Sequence, residues 1–420
     1  MRISSVTMFE QSAASINRQQ AEFMKVNEQM ASGRRVVNPS DDPQAASRAV
    51  GVDQSQAVTQ QYADARVSAR NALSQTESVL NSVSDAVTSA KTLLVQASSD
   101  TLSDVDRESI ASEMRGIYET MIGQANATDG NGRYLFGGYA DNKPPFVKDA
   151  DGQVQYAGDS NNREQRIDAS RLMPVTSNGE DIFQSVPSGA GYIAQTPPID
   201  ADAGTGNKGN VTFTGPNTAD VNADGYGDNF EIKFDDNSGD MNVIVNNLDD
   251  TSSNPVVDTK YTGGGEDGQT VSFGGLNITL EGEPASGDTV AVQKAGGSEH
   301  SADLFSTMEE TIRVLEAPND SPQAKADFRN TVNAAMRNLD NTLDNVLTVR
   351  ASAGARLNEL DVVDGVGANR MQNYKQTLSD LVDLDYVDTI SEYSLRQVGM
   401  QASQQAFANI KSSSLFDYLR

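Results

Sequence analysis

The sequence predicts an α+β protein: long terminal helices form a coiled-coil and helical-bundle stem, and an antiparallel β-rich outer domain is inserted between them. Three observations carry this. Residues 44–143 and 323–420 contain no proline, whereas nine of the thirteen prolines lie between Pro144 and Pro284, and 22 of the 34 glycines between Gly152 and Gly297. Proline costs about 3 kcal/mol inside a helix and glycine about 1, so the ends permit long helices and the middle is punctuated as strands and turns are. Apolar residues recur at helical spacing in the ends and alternate in the middle. Charge divides the same way, with 26 acids against 9 bases in residues 141–300, a net of −17 out of −27 for the 420-residue chain.

The elements follow in order. Phe9, Ile16, Phe23 and Met30 recur every seven residues and form one stripe of a first helix. Asn38-Pro39-Ser40-Asp41-Asp42-Pro43 reads as a rigid turn, with Asp42 the N-cap and Pro43 the first residue of a second helix. From Ala69, the series Leu73, Thr76, Leu80, Val83, Val87, Ala90, Leu94, Ala97 keeps a heptad seam over roughly 40 Å of helix. Ser103 and Asp106 form a capping box ahead of Ile110, Met114, Ile117 and Met121. Ser321-Pro322 starts another helix, with Leu339, Thr342, Val346, Val349 and Ala353 as its seam and Met371, Tyr374, Leu378 and Leu381 further on. A break at residues 381–386 precedes a glutamine-rich last helix, whose thin apolar stripe is Val398, Ala402, Ala406 and Ile410. The predicted division is therefore terminal helices at 1–40 and 385–420, and a helical rod at 41–165 and 301–384 with a β-hairpin region near 133–165. The outer domain is predicted at 166–300.

That middle contains an internal repeat. Val211–Gly215 returns as Val271–Gly275 and Gly227–Ile232 as Gly287–Val292, both sixty residues on. Alternation in Phe230–Phe234 and in Asn277–Leu280 fits half-buried strands, so two related antiparallel β units are the simplest reading.

Composition excludes most chemistry. There is no cysteine and one histidine, His300, so thiolate sites, disulfides and the two-histidine zinc protease motif are ruled out. A net charge of −27 repels phosphate backbones and anionic lipid, which removes nucleic acid and membrane surfaces as partners. No apolar run exceeds three residues, so neither a membrane span nor a cleavable signal core is expected. Gly204-Thr205-Gly206-Asn207-Lys208-Gly209 matches a nucleotide-loop pattern, but a strand follows where a phosphate site needs a helix. The one pattern with ligand spacing is Asp220, Asn222, Asp224, Tyr226 (through its carbonyl), Asp228 and Glu231, with Gly225 at the turn. Calcium takes about six to eight oxygens, and this loop could supply them, although a solvated turn is the simpler reading. No catalytic constellation and no other cofactor is expected.

Met1-Arg2-Ile3-Ser4-Ser5, Ser32-Gly33-Arg34-Arg35, the Asn38–Pro43 turn, Tyr134-Leu135-Phe136-Gly137-Gly138 and Ser414-Leu415-Phe416-Asp417-Tyr418-Leu419 together resemble the flagellin family of bacterial flagellar proteins, on its hook–filament junction side. The resemblance covers residues 1–147 and 300–420. It implies a secreted, non-enzymatic structural subunit, exported unfolded by the flagellar type III apparatus and assembled outside the cell as a homo-oligomeric ring. It further implies paired terminal helices as the inner layer of a tube, an adjacent hook-associated junction protein and flagellin as neighbours, and an export chaperone near the C-terminal helices. A flagellin-type filament subunit and a calcium-dependent surface binding module are the alternatives. From the residues alone, the first and last helices are too lean to fold unaided and are expected to order among neighbours, with Phe9, Ile16, Phe23, Met30, Val398, Ala402, Ala406 and Ile410 as assembly residues.

Overall fold

The computed structural model describes residues 5–99, 102–150, 152–185, 191–197, 206–237, 239–265, 268–295 and 303–412. Two units divide it: Met1–Arg66 with Asp361–Arg420, and Val67–Leu360. Helices α1 (Ser5–Ser32), α2 (Pro43–Ala97), α3 (Asp104–Ala125), α4 (Gly179–Phe183), α5 (Leu304–Glu316), α6 (Pro322–Val382) and α7 (Tyr386–Ser412) form the α part. Their starts are fixed as the sequence indicates. Asp42 Oδ1 accepts the Ala45 amide at 3.0 Å, Ser321 Oγ accepts the Ala324 amide at 3.1 Å, and Ser103 with Asp106 completes a capping box.

In the larger unit, the helical core is the seam. Leu73, Thr76, Leu80, Val83, Val87, Ala90, Leu94 and Ala97 are all buried, as are Leu339, Thr342, Val346 and Ala353, with Val349 half-buried. Four rings complete this core. Phe183 meets Phe136 and Phe146 edge-on, both at 5.4 Å between centroids, and Phe305 lies 5.2 Å from Phe146. Aromatic pairs at these separations contribute beyond their buried area. The Leu135–Gly138 stretch is thereby explained as packing. Leu135 and Phe136 are buried, and Gly138, at φ +62°, would place a β-carbon 2.2 Å from the Asp159 carbonyl oxygen. No other residue fits there.

Strands β1 (Phe146–Lys148) and β2 (Val154–Tyr156) form the hairpin of the 133–165 region, and β3 (Glu164–Asp168) pairs with β4 (Arg171–Pro174). Residues 166–185 pack with the helices: Ile182 and Phe183 lie in the helical core, and Arg171 forks onto Glu359 of α6 at 2.5 and 2.8 Å. The outer domain proper runs from β5 (Tyr192–Gln195) through β6 (Thr212–Thr218), β7 (Phe230–Asn237), β8 (Asp240–Asn247), β9 (Val257–Lys260), β10 (Gln269–Phe273) and β11 (Leu276–Glu281) to β12 (Thr289–Lys294). Two antiparallel sheets, ordered β10-β11-β6 and β5-β12-β7-β8-β9, share one apolar core that includes Phe213, Phe230, Ile232, Phe273, Leu280 and Val290.

The sixty-residue repeat does not build two separate units. Its first motif supplies β6 and β10, which flank β11; its second supplies β7 and β12, which pair directly, Ile232 opposite Val290. Helix α6 covers the free edge of β6. Asn330 accepts the Phe213 amide at 3.1 Å and donates to the Val211 carbonyl at 2.9 Å, and Asn333 donates to the Phe213 carbonyl at 3.1 Å. Side-chain amides thus satisfy strand groups that would otherwise be an open edge.

Candidate assembly interface

The smaller unit holds both terminal helices. Helix α7 turns Tyr393, Arg396 and Ser403 to α1. Tyr393 lies 5.0 Å from Phe23 between ring centroids, Arg396 pairs with Glu22, and Ser403 donates to Gln19 at 2.5 Å. Thr389 and Val26 are the buried residues of α7 and α1 among the described side chains. Ile16, Phe23 and Met30 are half-buried. The Phe9 and Ile410 side chains, like residues 1–4, His300 and 414–419, lie outside the described residues.

Where the two terminal helices join the long ones, the chain breaks twice, and the breaks are bonded to each other. Arg35 donates its amide to the Val382 carbonyl at 2.8 Å and its Nη2 to the Leu381 carbonyl at 2.6 Å, and Leu384 donates to the Gly33 carbonyl at 3.1 Å. Arg35 Nη1 also meets Asp42 at 3.2 Å, and Lys25 meets Asp41 at 3.0 Å. The Asn38 amide bonded to Asp41, and the Ala45 amide bonded to Asp42, hold both carboxyls below the usual carboxylate range, with Lys25 and Arg35 adding to the effect. Sequence reading marked each break but not their union; the paired arginines of Ser32–Arg35 were the available signal. Further along the same unit, Arg66 is buried against Asp364 and lies over Gly367, where a β-carbon would come 2.6 Å from its Nη2.

The side of α7 away from α1 is exposed and sets apolar side chains among Ser391, Ser394 and Gln405. Val387, Ile390, Leu395 and Val398 are 76, 51, 72 and 63 % exposed, and Ala402 and Ala406 are exposed as well. Its face towards α1 is held by ring and polar contacts, and these apolar side chains are left uncovered.

The calcium spacing is not realised as a ligand cluster. Asp220 accepts the Asn222 amide within its own turn, Asp228 is taken by the Asn247 side chain at 2.7 Å, and Glu231 sits on β7 between Asn246 and Ala291. Among the described residues, no group of three or more carboxylate or imidazole side chains could hold a metal ion. Asp220, Asn222, Asp224, Tyr226, Asp228 and Glu231 lie in a hydrogen-bonded turn that leads into β7. In the glycine-rich stretch, the Lys208 and Gly209 amides donate at 2.7 and 2.9 Å to the buried carboxylate of Asp288. The anion there is the protein's own.

Residues 3–141 match the family model described as the bacterial flagellin N-terminal helical region. Flagellar hook-associated protein 3 of Escherichia coli (strain K12) is 32 % identical over 417 residues, covering 99 % of each chain. The chain belongs to the flagellar hook-associated protein 3 family. The relative of that name in Salmonella typhimurium (strain LT2) is 31 % identical over the full length of both chains. Among solved structures, the hook-associated protein-3 of Legionella pneumophila aligns with a TM-score of 0.68 at 25 % identity, covering 79 % of this chain and 98 % of that one. FlgL of Xanthomonas campestris aligns with a TM-score of 0.65 at 26 % identity, covering 78 % and 99 %. Long terminal helices with an inserted antiparallel β domain are the fold of this family.

Proposed function

We propose that this hook-associated protein 3 family member joins hook to filament as a structural subunit outside the cell, assembling as a ring of copies through its terminal helices. The observation that carries this reading is the apolar outer face of α7, left bare while its other face holds α1. A helix pair in which one described side chain per helix is buried gains little against roughly 1–2 kcal/mol of backbone entropy per residue, so neighbours supply the rest of its stability. The neighbours in this reading are further copies, an adjacent hook-associated junction protein and flagellin, with an export chaperone covering the C-terminal helices before secretion. Nothing in the fold is asked to catalyse. Imaging of a strain lacking this chain tests the role: intact hooks with flagellin monomers lost to the medium are expected, and normal attached filaments would refute it.

A further inference from the structure

The turn that follows α3 carries a reactive pair of residues that assembly does not use. Asparagine followed by glycine occurs twice in the chain, at Asn131-Gly132 and at Asn178-Gly179. In such a pair the glycine amide can attack the asparagine side chain, because glycine has no β-carbon to shield its nitrogen. The fold treats the two pairs in opposite ways. Asn178 is fully buried as the N-cap of α4. Its Oδ1 accepts the Asp181 amide at 2.8 Å, and its Nδ2 donates to the Ser160 carbonyl at 2.9 Å and to Asp181 at 2.6 Å. The Gly179 amide donates to the Phe136 carbonyl at 2.8 Å. Electrophile and nucleophile are both held there, and they cannot meet unless the start of α4 opens.

Asn131 is exposed, and its side chain makes no hydrogen bond among the described residues. The turn around it is closed by Asp129 alone. The Asp129 carbonyl accepts the Gly132 amide at 3.0 Å, and its own amide donates to the Arg133 carbonyl at 2.7 Å. Its Oδ1 accepts the Asn131 and Arg133 amides at 2.8 and 2.9 Å. Gly132 sits at φ +80°, so the turn itself calls for glycine after Asn131.

We propose that Asn131 is a site of spontaneous modification, converting to aspartate and isoaspartate, while Asn178 is protected. The Gly132 nitrogen gives up its proton and bonds to Cγ of Asn131. The Cγ–Nδ2 bond breaks, and Nδ2 takes up a proton and leaves as ammonia. Water then opens the cyclic imide at either carbonyl, to aspartate at Cγ or to isoaspartate at the backbone carbon. Water is the only co-reactant. What restrains the attack is the bond from Gly132 to Asp129, and one net hydrogen bond slows it by about tenfold. The product places a second carboxylate beside Asp129. Isoaspartate also adds one backbone methylene between the bridged residues Thr128 and Tyr134, next to buried Leu135. The change needs no enzyme and accumulates with the age of the chain.

The test incubates the full chain in heavy-oxygen water at mildly alkaline pH. Tryptic peptides are then mapped by mass spectrometry, with fragmentation that separates aspartate from isoaspartate. Label enters only residues that react during incubation, so changes made during digestion do not count. A synthetic peptide of residues 116–133 gives the unrestrained rate. Asn131 is expected to react within about tenfold of that rate, and Asn178 at least about a hundredfold more slowly than Asn131. Asp129→Ala, which removes the acceptor of two amides in the turn, should bring Asn131 close to the peptide's rate. Asn131 no more reactive than Asn178, or an Asp129→Ala chain no faster than wild type, overturns the proposal. Should Asp129→Ala unfold, both pairs would react in it, and the wild-type contrast decides alone.

Discussion

Arg35 donates a hydrogen bond of 2.6 Å to the carbonyl of Leu381, 346 residues away, and so ties the end of α1 to the end of α6. That carbonyl stands in the last turn of α6, where backbone acceptors lose their helical partners, and a guanidinium there both satisfies the group and complements the helix dipole. The same side chain reaches Asp42 at the start of α2, so one residue serves three helix ends.

Arg35→Ala should therefore release both terminal helices together. Amide exchange in α1 and α7 is expected to quicken by about tenfold, the effect of one charge-assisted hydrogen bond, with the core of the larger unit unchanged. Release of one helix without the other would show that the two breaks are independent.

Acid should act on the same joint. Asp41 and Asp42 are held below the usual range, chiefly by the backbone amides of Asn38 and Ala45. Depressed carboxyls contribute stability above their unfolded value and lose it as pH falls through the folded one. Protection at residues 38–46 should thus fall below about pH 4. The salt bridges of both groups are exposed, so the loss is expected to be modest and screened by salt.

The ring cluster makes a separate prediction. Phe183 touches Phe136, Phe146 and Phe305, and is fully buried. Phe183→Ala should cost roughly 3–5 kcal/mol in chemical unfolding. Gly138→Ala, with φ +62° and a carbonyl in the way, should cost about 1–3 kcal/mol. Values near zero for either would remove the packing account of the Leu135–Gly138 stretch.

What the sequence makes legible follows from what generates periodicity. The α2 seam from Leu73 to Ala97 is readable because every member is buried on one face. The α7 face that meets α1 is not, because Tyr393, Arg396 and Ser403 hold it by a ring contact and polar bonds, which carry no apolar period. The apolar stripe through Val398 instead marks the bare side. The start of the outer domain is likewise obscured, since Ile182 and Phe183 of α4 lie in the helical core and Arg171 of β4 forks onto Glu359 of α6. The repeat is visible as sequence, but which copies become sheet neighbours depends on long-range pairing that no local pattern encodes.

Limited proteolysis probes the lean terminal pair. Soluble monomer should be trimmed to a core near residues 40–385, because α1 and α7 bury so little. Phe23→Asp should speed this trimming by removing the Tyr393 contact, and should leave the melting of the larger unit unchanged. Full-length resistance of the wild type would contradict it.

The most direct test of assembly through α7 uses side chains that the free chain does not need. Leu395 and Val398 are 72 and 63 % exposed, so Leu395→Asp with Val398→Asp should leave the monomer's melting temperature within error of wild type. The double variant is then supplied to a strain lacking this chain, and attached filaments are counted. Secreted variant with bare hooks is the expected result; filaments at wild-type frequency would contradict the account.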